Sequence, residues 1–172
     1  MKIETSRVKT PVGTLKLAAR DGALVALAFE DSWDESLAGL EKRFGELATK
    51  DVKDPAGAVK ALAAWLDGDL RALDRIEVDP GGTEFQARVW KELRRIAPGE
   101  PITYADLARR IGEPKATRAV GAANGRNPIA IVIPCHRVIA SGGALGGYAG
   151  GLSRKRWLLA HEAQRSEFRL RA

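Results

Sequence analysis

The chain is poor in the residues that build disulfide frameworks and metal sites. Its 172 residues include one cysteine and two histidines. A single cysteine excludes an internal disulfide framework and is typical of proteins in a reducing cytosol. One cysteine with His136 and His161 is also a poor ligand set for zinc, although carboxylates would in principle complete one. We therefore expect neither a metal nor a structural disulfide.

Long apolar runs are missing as well. No run approaches the roughly 20 apolar residues that span a bilayer. The first residues, Met1 to Glu4, show no apolar signal core, so export is not expected. With 45% hydrophobic and 29% charged residues, the composition is typical of a globular protein with a buried core. The sequence thus predicts a cytoplasmic protein with no membrane partner.

Charge is unevenly distributed along the chain. Residues 1–82 carry 12 Lys and Arg against 15 Asp and Glu, a net charge of −3, and residues 83–172 carry 16 against 7, a net charge of +9. A basic half joined to a mildly acidic half favours a polyanionic partner for the basic half. An ordinary solvated basic surface is the alternative.

The first half has the pattern of a small α/β domain. Extended segments at residues 2–9, 14–19 and 23–30, with Asp21-Gly22 between the last two, predict antiparallel strands. Two helical faces follow. They consist of Leu37, Leu40, Phe44 and Leu47, and of Val59, Leu62, Ala63 and Leu66. A short strand is expected at 76–78. The Pro/Gly cluster at 79–82 coincides with the shift in charge and predicts a domain boundary after residue 82.

The second half begins with helical patterns. Thr83 with Gln86, and Thr103 with Asp106, have the spacing of capping boxes. The first box precedes an apolar stripe of Phe85, Val89, Trp90, Leu93 and Ile96. The second box opens a short helix that a Gly/Pro turn separates from a helix over 116–124. This pattern predicts a helix-turn-helix, with an αα-hairpin unrelated to nucleic acids as the alternative.

The predicted helix over 116–124 is unusual for one that recognises bases. Its residues are mostly small, and Arg118 is its one long basic side chain. Small side chains offer few groups for the major-groove code. They suit close approach to a narrow groove that one arginine enters. Packing against another helix is the alternative.

The single cysteine, Cys135, follows the apolar run at 129–133 and Pro134. We expect the run to pass through the core and to deliver Cys135 at its exit. With His136 beside it, the thiol is placed for nucleophilic chemistry, although a buried cysteine acting as a small hydrophobe fits these residues equally well. A loop with six glycines follows at 141–151, and Ser153 is predicted to cap a final helix that reaches Glu162. The basic tail after Ala163 is expected to be an outer helix or a frayed end.

Taken together, these motifs resemble the O6-alkylguanine-DNA alkyltransferases, also called methylated-DNA–protein-cysteine methyltransferases. The resemblance extends over residues 85–162 and is carried by Thr103-Tyr104, Pro114-Lys115-Ala116-Thr117-Arg118-Ala119-Val120-Gly121, Asn127-Pro128, Pro134-Cys135-His136-Arg137-Val138 and Leu158-Leu159-Ala160-His161-Glu162. It implies an α+β fold with a small N-terminal RNase-H-like α/β domain over 1–82, containing an antiparallel sheet. The C-terminal domain over 83–172 is then mostly helical and winged-helix-like, with a helix-turn-helix. The first half matches only in general form, and no catalytic residue is expected there.

By resemblance, Cys135 accepts the alkyl group from O6-alkylguanine, and less well from O4-alkylthymine, and keeps it as a thioether. The protein then acts once and needs no cofactor. His136 is the base, acting through a bridging water, and Glu162 polarises His136, which is the nucleophile–base–orienter logic of a triad. Asn127 is implied to tie the recognition helix to the active-site strand, whereas Arg137 and His161 are expected to be structural.

The resemblance also implies a DNA partner. A monomer binds double-stranded DNA containing alkylated guanine through the minor groove, with cooperative binding left open. The modified base leaves the duplex because its O6 atom is stacked inside. The implied DNA contacts are Tyr104, Arg118, Gly121, Ala122, Ala123 and Ser141, and the implied base contacts are Tyr104, Val138, Tyr148 and Ala149. Many family members have Ser where this chain has Ala149, so we expect an altered tolerance for bulky alkyl groups.

Three other functions compete with alkyl transfer. A non-reacting module that recognises alkylated bases would share the fold but lack Cys135. A sequence-specific regulator would need a recognition helix with more polar side chains. A cysteine hydrolase would need His136 to face Cys135 directly, whereas adjacent side chains usually point apart.

Overall fold

The computed structural model describes residues 1–171, and the side chains of residues 1–166. The chain divides into two compact units. The first consists of Met1–Gly81 and Pro128–Val132, and the second of Gly82–Asn127 and the chain from Ile133 onward. The boundary predicted after residue 82 did not foresee that residues 128–132 belong to the first unit.

Three consecutive antiparallel strands form most of the sheet in the first unit. They are β1 (Lys2–Thr10), β2 (Gly13–Arg20) and β3 (Ala23–Phe29). Asp21 and Gly22 both have positive φ, 51° and 81°, which is the backbone geometry of a type I′ hairpin turn. The predicted hairpin is therefore confirmed.

A fourth strand, β4 (Ala48–Asp51), pairs in parallel with β1 and gives the order β3-β2-β1-β4. Every residue of β4 is exposed, so no alternation of apolar residues marks it in the sequence. The helix before it, α1 (Trp33–Phe44), ends at Gly45, whose φ is 80°. Including Leu47 in this helical face was therefore wrong, although Leu47 does pack against the core.

The core of the first unit lies between the sheet and its helices. One cluster consists of Ile3, Ala18, Val25, Ala26, Trp33 and Leu40. The second helix, α2 (Ala58–Leu66), buries Ala58, Leu62 and Trp65. The buried face of α2 therefore differs from the predicted one: Ala63, which was placed on it, is exposed. The strand expected at 76–78 is reduced to a single bridge between Leu24 and Val78.

Helices dominate the second unit. They are α3 (Glu84–Leu93), α4 (Tyr104–Arg110), α5 (Thr117–Gly125) and α6 (Leu152–Arg171). Both predicted capping boxes are confirmed: the side chains of Thr83 and Thr103 accept hydrogen bonds from the third residue on. Trp90 of α3 donates its indole N–H to the carbonyl of Ala123 in α5 at 2.9 Å, and α4 packs against both helices.

Two short strands complete the second unit. Ile102–Thr103 (β5) pairs in parallel with Val138–Ile139 (β6), which begins three residues after the cysteine. Helix α6 begins at Leu152, so Ser153 lies inside it and is not its cap. Among residues 1–171 no helix is both long and apolar enough to cross a bilayer.

Candidate active site

Cys135 is delivered by tight turns rather than by a strand. The N–H of Val132 donates to Ala130 at 2.8 Å, around Ile131 with φ of 70°. A positive φ at a β-branched residue is a rare, strained conformation. The N–H of Cys135 donates to Ile133 at 2.8 Å across Pro134, whose φ and ψ of −82° and 66° are those of an inverse γ-turn. The run 129–133 is buried except at Ala130, as expected, but it forms no strand beyond a bridge from Ile129 to Leu27.

The thiol of Cys135 is buried, with 8% of the residue exposed. Burial raises its pKa, while a hydrogen bond from Asn127 and the charge of Lys155 act in the opposite direction. The net shift is upward, so the group is predominantly a thiol at neutral pH. Because the thiolate is the nucleophile, a base must take the proton before Cys135 reacts.

His136 and Glu162 form a buried pair next to the cysteine. His136 Nε2 lies 2.8 Å from Glu162 Oε1, and both residues are fully buried. With Nε2 bound to the carboxylate, Nδ1 is the nitrogen left to accept a proton. Nδ1 is buried and has no hydrogen-bond partner among the described residues. The second histidine, His161, instead stacks on Trp157 with ring centroids 5.0 Å apart.

Arg137 shares the same carboxylate. Its NH2 group donates to Glu162 Oε2 at 2.6 Å and its Nε to Oε1 at 3.0 Å, while NH1 donates to the carbonyl of Ile96 at 2.7 Å. Burial opposes ionisation of Glu162, but His136 and Arg137 outweigh it and hold the pKa of this carboxyl well below its usual range. Glu162 is therefore a fixed anion that orients His136.

Two asparagines hold the backbone around the thiol. Asn127 Nδ2 donates to the carbonyl of Ile133 at 2.7 Å. This bond joins the two ends of the segment 128–132, which belongs to the first unit. Asn124 Nδ2 donates to the carbonyl of Cys135 at 3.3 Å. Asn124 was missed in the sequence. The available signal was its position four residues after Val120, on the apolar face of the predicted helix, because a buried amide needs partners.

Tyr104 lies at the start of α4, between α5 and the glycine-rich loop. A Cβ on Gly146 would come within 3.0 Å of its ring, and one on Gly121 within 3.8 Å. Its hydroxyl interacts with the backbone of Gly147 and the side chain of Asn124. Burial and the nearby Cys135 raise the pKa of Tyr104, so it remains a neutral hydrogen-bonding group.

The other predicted DNA contacts divide into two groups. Arg118, Ala122 and Ser141 are exposed, and Gly121 is partly exposed. Ala123 is only 4% exposed and packs on the inner side of α5. We therefore remove Ala123 from the DNA-contacting set, because its neighbours in the fold already cover it.

The predicted base contacts lie on β6 and on the glycine-rich loop. Val138 is fully buried and Ala149 is exposed. The hydroxyl of Tyr148 is buried without a partner among the described residues. Burial, followed by the charge of Cys135, raises the pKa of Tyr148 well above its usual value. Tyr148 therefore remains a neutral phenol at physiological pH.

Lys155 is a buried residue of the site that sequence reasoning missed. It has no exposed surface, and its Nζ donates to the carbonyls of Val138 at 2.6 Å and Gly147 at 3.0 Å. The signal was available, since Lys155, Leu158 and Glu162 follow the spacing of one buried helical stripe. No group of three or more His, Cys, Asp or Glu among the described residues is arranged to hold a metal ion.

Comparisons with known proteins identify relatives of this chain. The family model for the 6-O-methylguanine DNA methyltransferase DNA-binding domain matches residues 84–164. A methylated-DNA–protein-cysteine methyltransferase of Mycolicibacterium paratuberculosis is 47% identical over 165 residues, covering 95% of this chain and 94% of the relative. The protein of the same name from Salmonella typhimurium is 42% identical over 165 residues, covering 94% and 96%.

Solved structures show the same likeness. The crystal structure of Mycobacterium tuberculosis O6-methylguanine methyltransferase has a TM-score of 0.78 and 40% identity, with 95% of this chain and 94% of that chain covered. The structure of Mycobacterium tuberculosis OGT in complex with DNA has a TM-score of 0.77 and 38% identity, with 96% and 94% covered.

Proposed function

The chain belongs to the methylated-DNA–protein-cysteine methyltransferase family, and from that premise we propose that it repairs alkylated DNA by moving the alkyl group to its own Cys135. The substrate is O6-alkylguanine in double-stranded DNA, and O4-alkylthymine reacts less well. The observation that supports this function best is the buried pair of His136 and Glu162 beside the chain's only cysteine. We place the reaction in the cytoplasm.

The chemistry is a single displacement. His136 Nδ1 takes the proton of Cys135 through one bridging water, and Glu162 stabilises the resulting imidazolium. The thiolate attacks the alkyl carbon, an S–C bond forms, and the C–O6 bond breaks. Its electron pair stays on O6, and the proton that His136 accepted passes through water to the guanine, which leaves both the guanine and His136 neutral. Because the thioether product has no route back to a thiol, each chain acts once and needs no cofactor.

The base reaches the thiol by leaving the duplex. Helix α5 enters the minor groove with its small residues, the partly exposed Gly121 and the exposed Ala122, and Arg118 fills the space of the displaced nucleotide. Tyr104 favours rotation of the nucleotide and contacts the base, and Ser141 contacts the backbone. Main-chain groups at Val138 and the loop at Tyr148 and Ala149 hold the guanine edge, while Asn127 keeps α5 and the turn before Cys135 in register. The net charge of +9 over residues 83–172 supports a DNA partner.

Intact-mass spectrometry tests the function directly. The protein is incubated with duplex DNA containing O6-methylguanine, and we expect one added methyl group per chain, located on Cys135. The Cys135→Ser variant should bind the same duplex and gain no mass. An unmodified wild-type protein that still binds the lesion would identify a recognition module, and repeated product release would identify a hydrolase.

Two variants test the proton relay. His136→Ala removes the base, and Glu162→Gln keeps the shape of its side chain but removes its charge. Both should slow methylation of Cys135 at neutral pH, the first by roughly 10²–10⁴-fold. If both variants react at the wild-type rate, the relay is wrong even though the alkyl acceptor remains correct.

A further inference from the structure

Lys155 combines complete burial with bonds to neutral partners. Lysine is almost never fully buried unless it is paired. The bonds recorded for its Nζ go to two backbone carbonyls, Val138 at 2.6 Å and Gly147 at 3.0 Å. An apolar side chain of similar length would fill this space without the desolvation that an ammonium requires. The energetic cost of burying Lys155 therefore needs an explanation beyond packing.

The partners of Lys155 belong to three different elements of the proposed base site. Val138 starts β6, and Gly147 lies in the glycine-rich loop next to Tyr148. The ammonium also lies 5.9 Å from the ring centroid of Tyr104, within cation–π distance. One side chain thus holds together the three segments that we propose to surround the flipped base.

Its charge is also relevant to the thiol. The carbonyl partners carry no formal charge, so they leave the positive charge of Lys155 uncancelled. Lys155 and Cys135 interact electrostatically: burial lowers the pKa of Lys155 and a Cys135 thiolate raises it, while Lys155 in turn lowers the pKa of Cys135. Forming the thiolate therefore creates a partner for a buried cation.

We propose that Lys155 is a positioning residue for alkyl transfer, which fixes β6 and the glycine-rich loop around the flipped base and supplies the positive charge opposite the Cys135 thiolate. This role rests on the proposed function and deepens it. The titratable and charged groups around Lys155 and Cys135 are Tyr104 on α4, His136 and Arg137 after the cysteine, Tyr148 in the loop, and Arg154 and Glu162 on α6.

The test compares Lys155→Met, Lys155→Arg and Arg156→Met in the full chain. Lys155→Met keeps an unbranched side chain of similar length but loses the charge and the donors. Lys155→Arg keeps the charge but replaces a compact ammonium with a planar fork. Arg156 is exposed on the same helix, so Arg156→Met is the control for loss of one positive charge from α6.

Two rates are measured for each protein. The first is the rate at which iodoacetamide alkylates the only cysteine, followed as a function of pH. The midpoint of this rate–pH curve, which reports ionisation of the Cys135 thiol, should move to higher pH in Lys155→Met. It should stay near the wild-type value in Lys155→Arg and Arg156→Met. The second is the methyl-transfer rate at saturating O6-methylguanine duplex, which should fall on the order of 100-fold in Lys155→Met. It should also fall in Lys155→Arg, because the guanidinium does not reproduce both carbonyl bonds.

The outcomes separate this inference from the proposed function. If wild-type protein gains no methyl group on Cys135, the proposed function fails. If wild-type protein is methylated but Lys155→Met matches Arg156→Met in transfer rate, or keeps the wild-type thiol midpoint, the role of Lys155 is overturned. A purely structural role would lower thermal stability without moving that midpoint.

A measurement on the wild-type chain covers the case in which Lys155→Met does not fold. The side-chain ¹⁵N resonance of Lys155 is titrated before and after methylation of Cys135. We expect Lys155 to lose its proton at lower pH once the thiolate no longer forms. An identical titration in the two states would contradict the charge pairing.

Discussion

Among the side chains of residues 1–166, the first unit buries no polar or charged residue, whereas the second buries six. These are Asn124, His136, Arg137, Lys155, His161 and Glu162. Within the same range, the three buried side-chain N and O atoms that lack a hydrogen-bond partner, on Asn124, His136 and Tyr148, also lie in the second unit. Buried polar groups are costly unless they are satisfied. The first unit therefore avoids the cost of burying polar groups, whereas the second carries this cost, mainly in the candidate active site.

Exposed ion pairs occur in both units, but the second unit also has a buried one, which can be compared with an exposed pair in the first. Arg71 and Asp74 of the first unit pair at 3.4 Å with side chains 56% and 48% exposed. Arg137 and Glu162 pair at 2.6 Å with side chains 6% and 1% exposed. An exposed pair contributes little because water and salt screen it. Loss of one partner from a buried pair leaves an uncompensated charge in the interior.

Replacement of Arg137 is expected to have the largest effect. Arg137→Met removes three donors from Glu162 and Ile96 and leaves the carboxylate with His136. The free energy of unfolding should fall by about 3–5 kcal/mol. Denaturation with urea measures this loss.

Arg71→Met is the matched control in the first unit. It removes an arginine from an exposed pair and should cost at most about 1 kcal/mol. Equal losses for the two variants would break the comparison between the units, because burial would then not decide the effect of an ion pair.

A cavity in the first unit should affect stability without affecting chemistry. Leu62 on α2 is fully buried, and Leu62→Ala should lower the free energy of unfolding by about 2–5 kcal/mol. The methyl-transfer rate per folded molecule should remain at the wild-type value, because we place no substrate contact in this unit. The exposed neighbour Lys60, replaced by Ala, should change stability by no more than about 0.5 kcal/mol. A slower transfer step in folded Leu62→Ala would show that the first unit also supports the reaction.

Local signals in the sequence predicted local structure well. The Asp21-Gly22 turn and the two capping boxes appear as expected, because each depends on residues within a few positions of one another. Strand β4 was not predicted, since its residues are all exposed and only its pairing with β1 defines it. The run at 129–133 predicted burial correctly, but its apolar composition contains no sign of the turn at Ile131.

The site shows the same limit. Cys135 and His136 were identified from their place after the apolar run, and Glu162 through a resemblance to a family; the structure brings His136 and Glu162 to 2.8 Å. The contact of Arg137 with Glu162 and the bonds of Lys155 to Val138 and Gly147 were not predicted. A charged residue in a sequence is normally assigned to the surface. The helical spacing of Lys155 with Leu158 and Glu162 indicates its burial, but only the fold reveals that Arg137 is buried and which groups the two residues contact.

The smallest of the three predicted effects is a difference between the two units in their stability at acidic pH. Glu162 has a lower pKa in the folded state than its ordinary value of about 4.3, because His136 and Arg137 outweigh the effect of burial. Its contribution to stability is therefore fully present above that ordinary value. The contribution is lost as the pH falls towards the folded-state pKa, because the unfolded chain then binds a proton that the folded carboxylate resists. The second unit should weaken in this acidic range before the first.

Amide hydrogen exchange at pH 5 and pH 3, corrected for intrinsic rates, measures this difference. Amides of α3 and of α6 up to Glu162 should lose more protection than those of β2 and β3. In Glu162→Gln the corresponding acid-dependent loss should be smaller, because the glutamine carries no titrating carboxyl, although the variant starts from a lower stability at neutral pH. Equal loss of protection in both units, or an unchanged acid dependence in Glu162→Gln, would mean that the buried carboxylate does not set the acid sensitivity of the second unit.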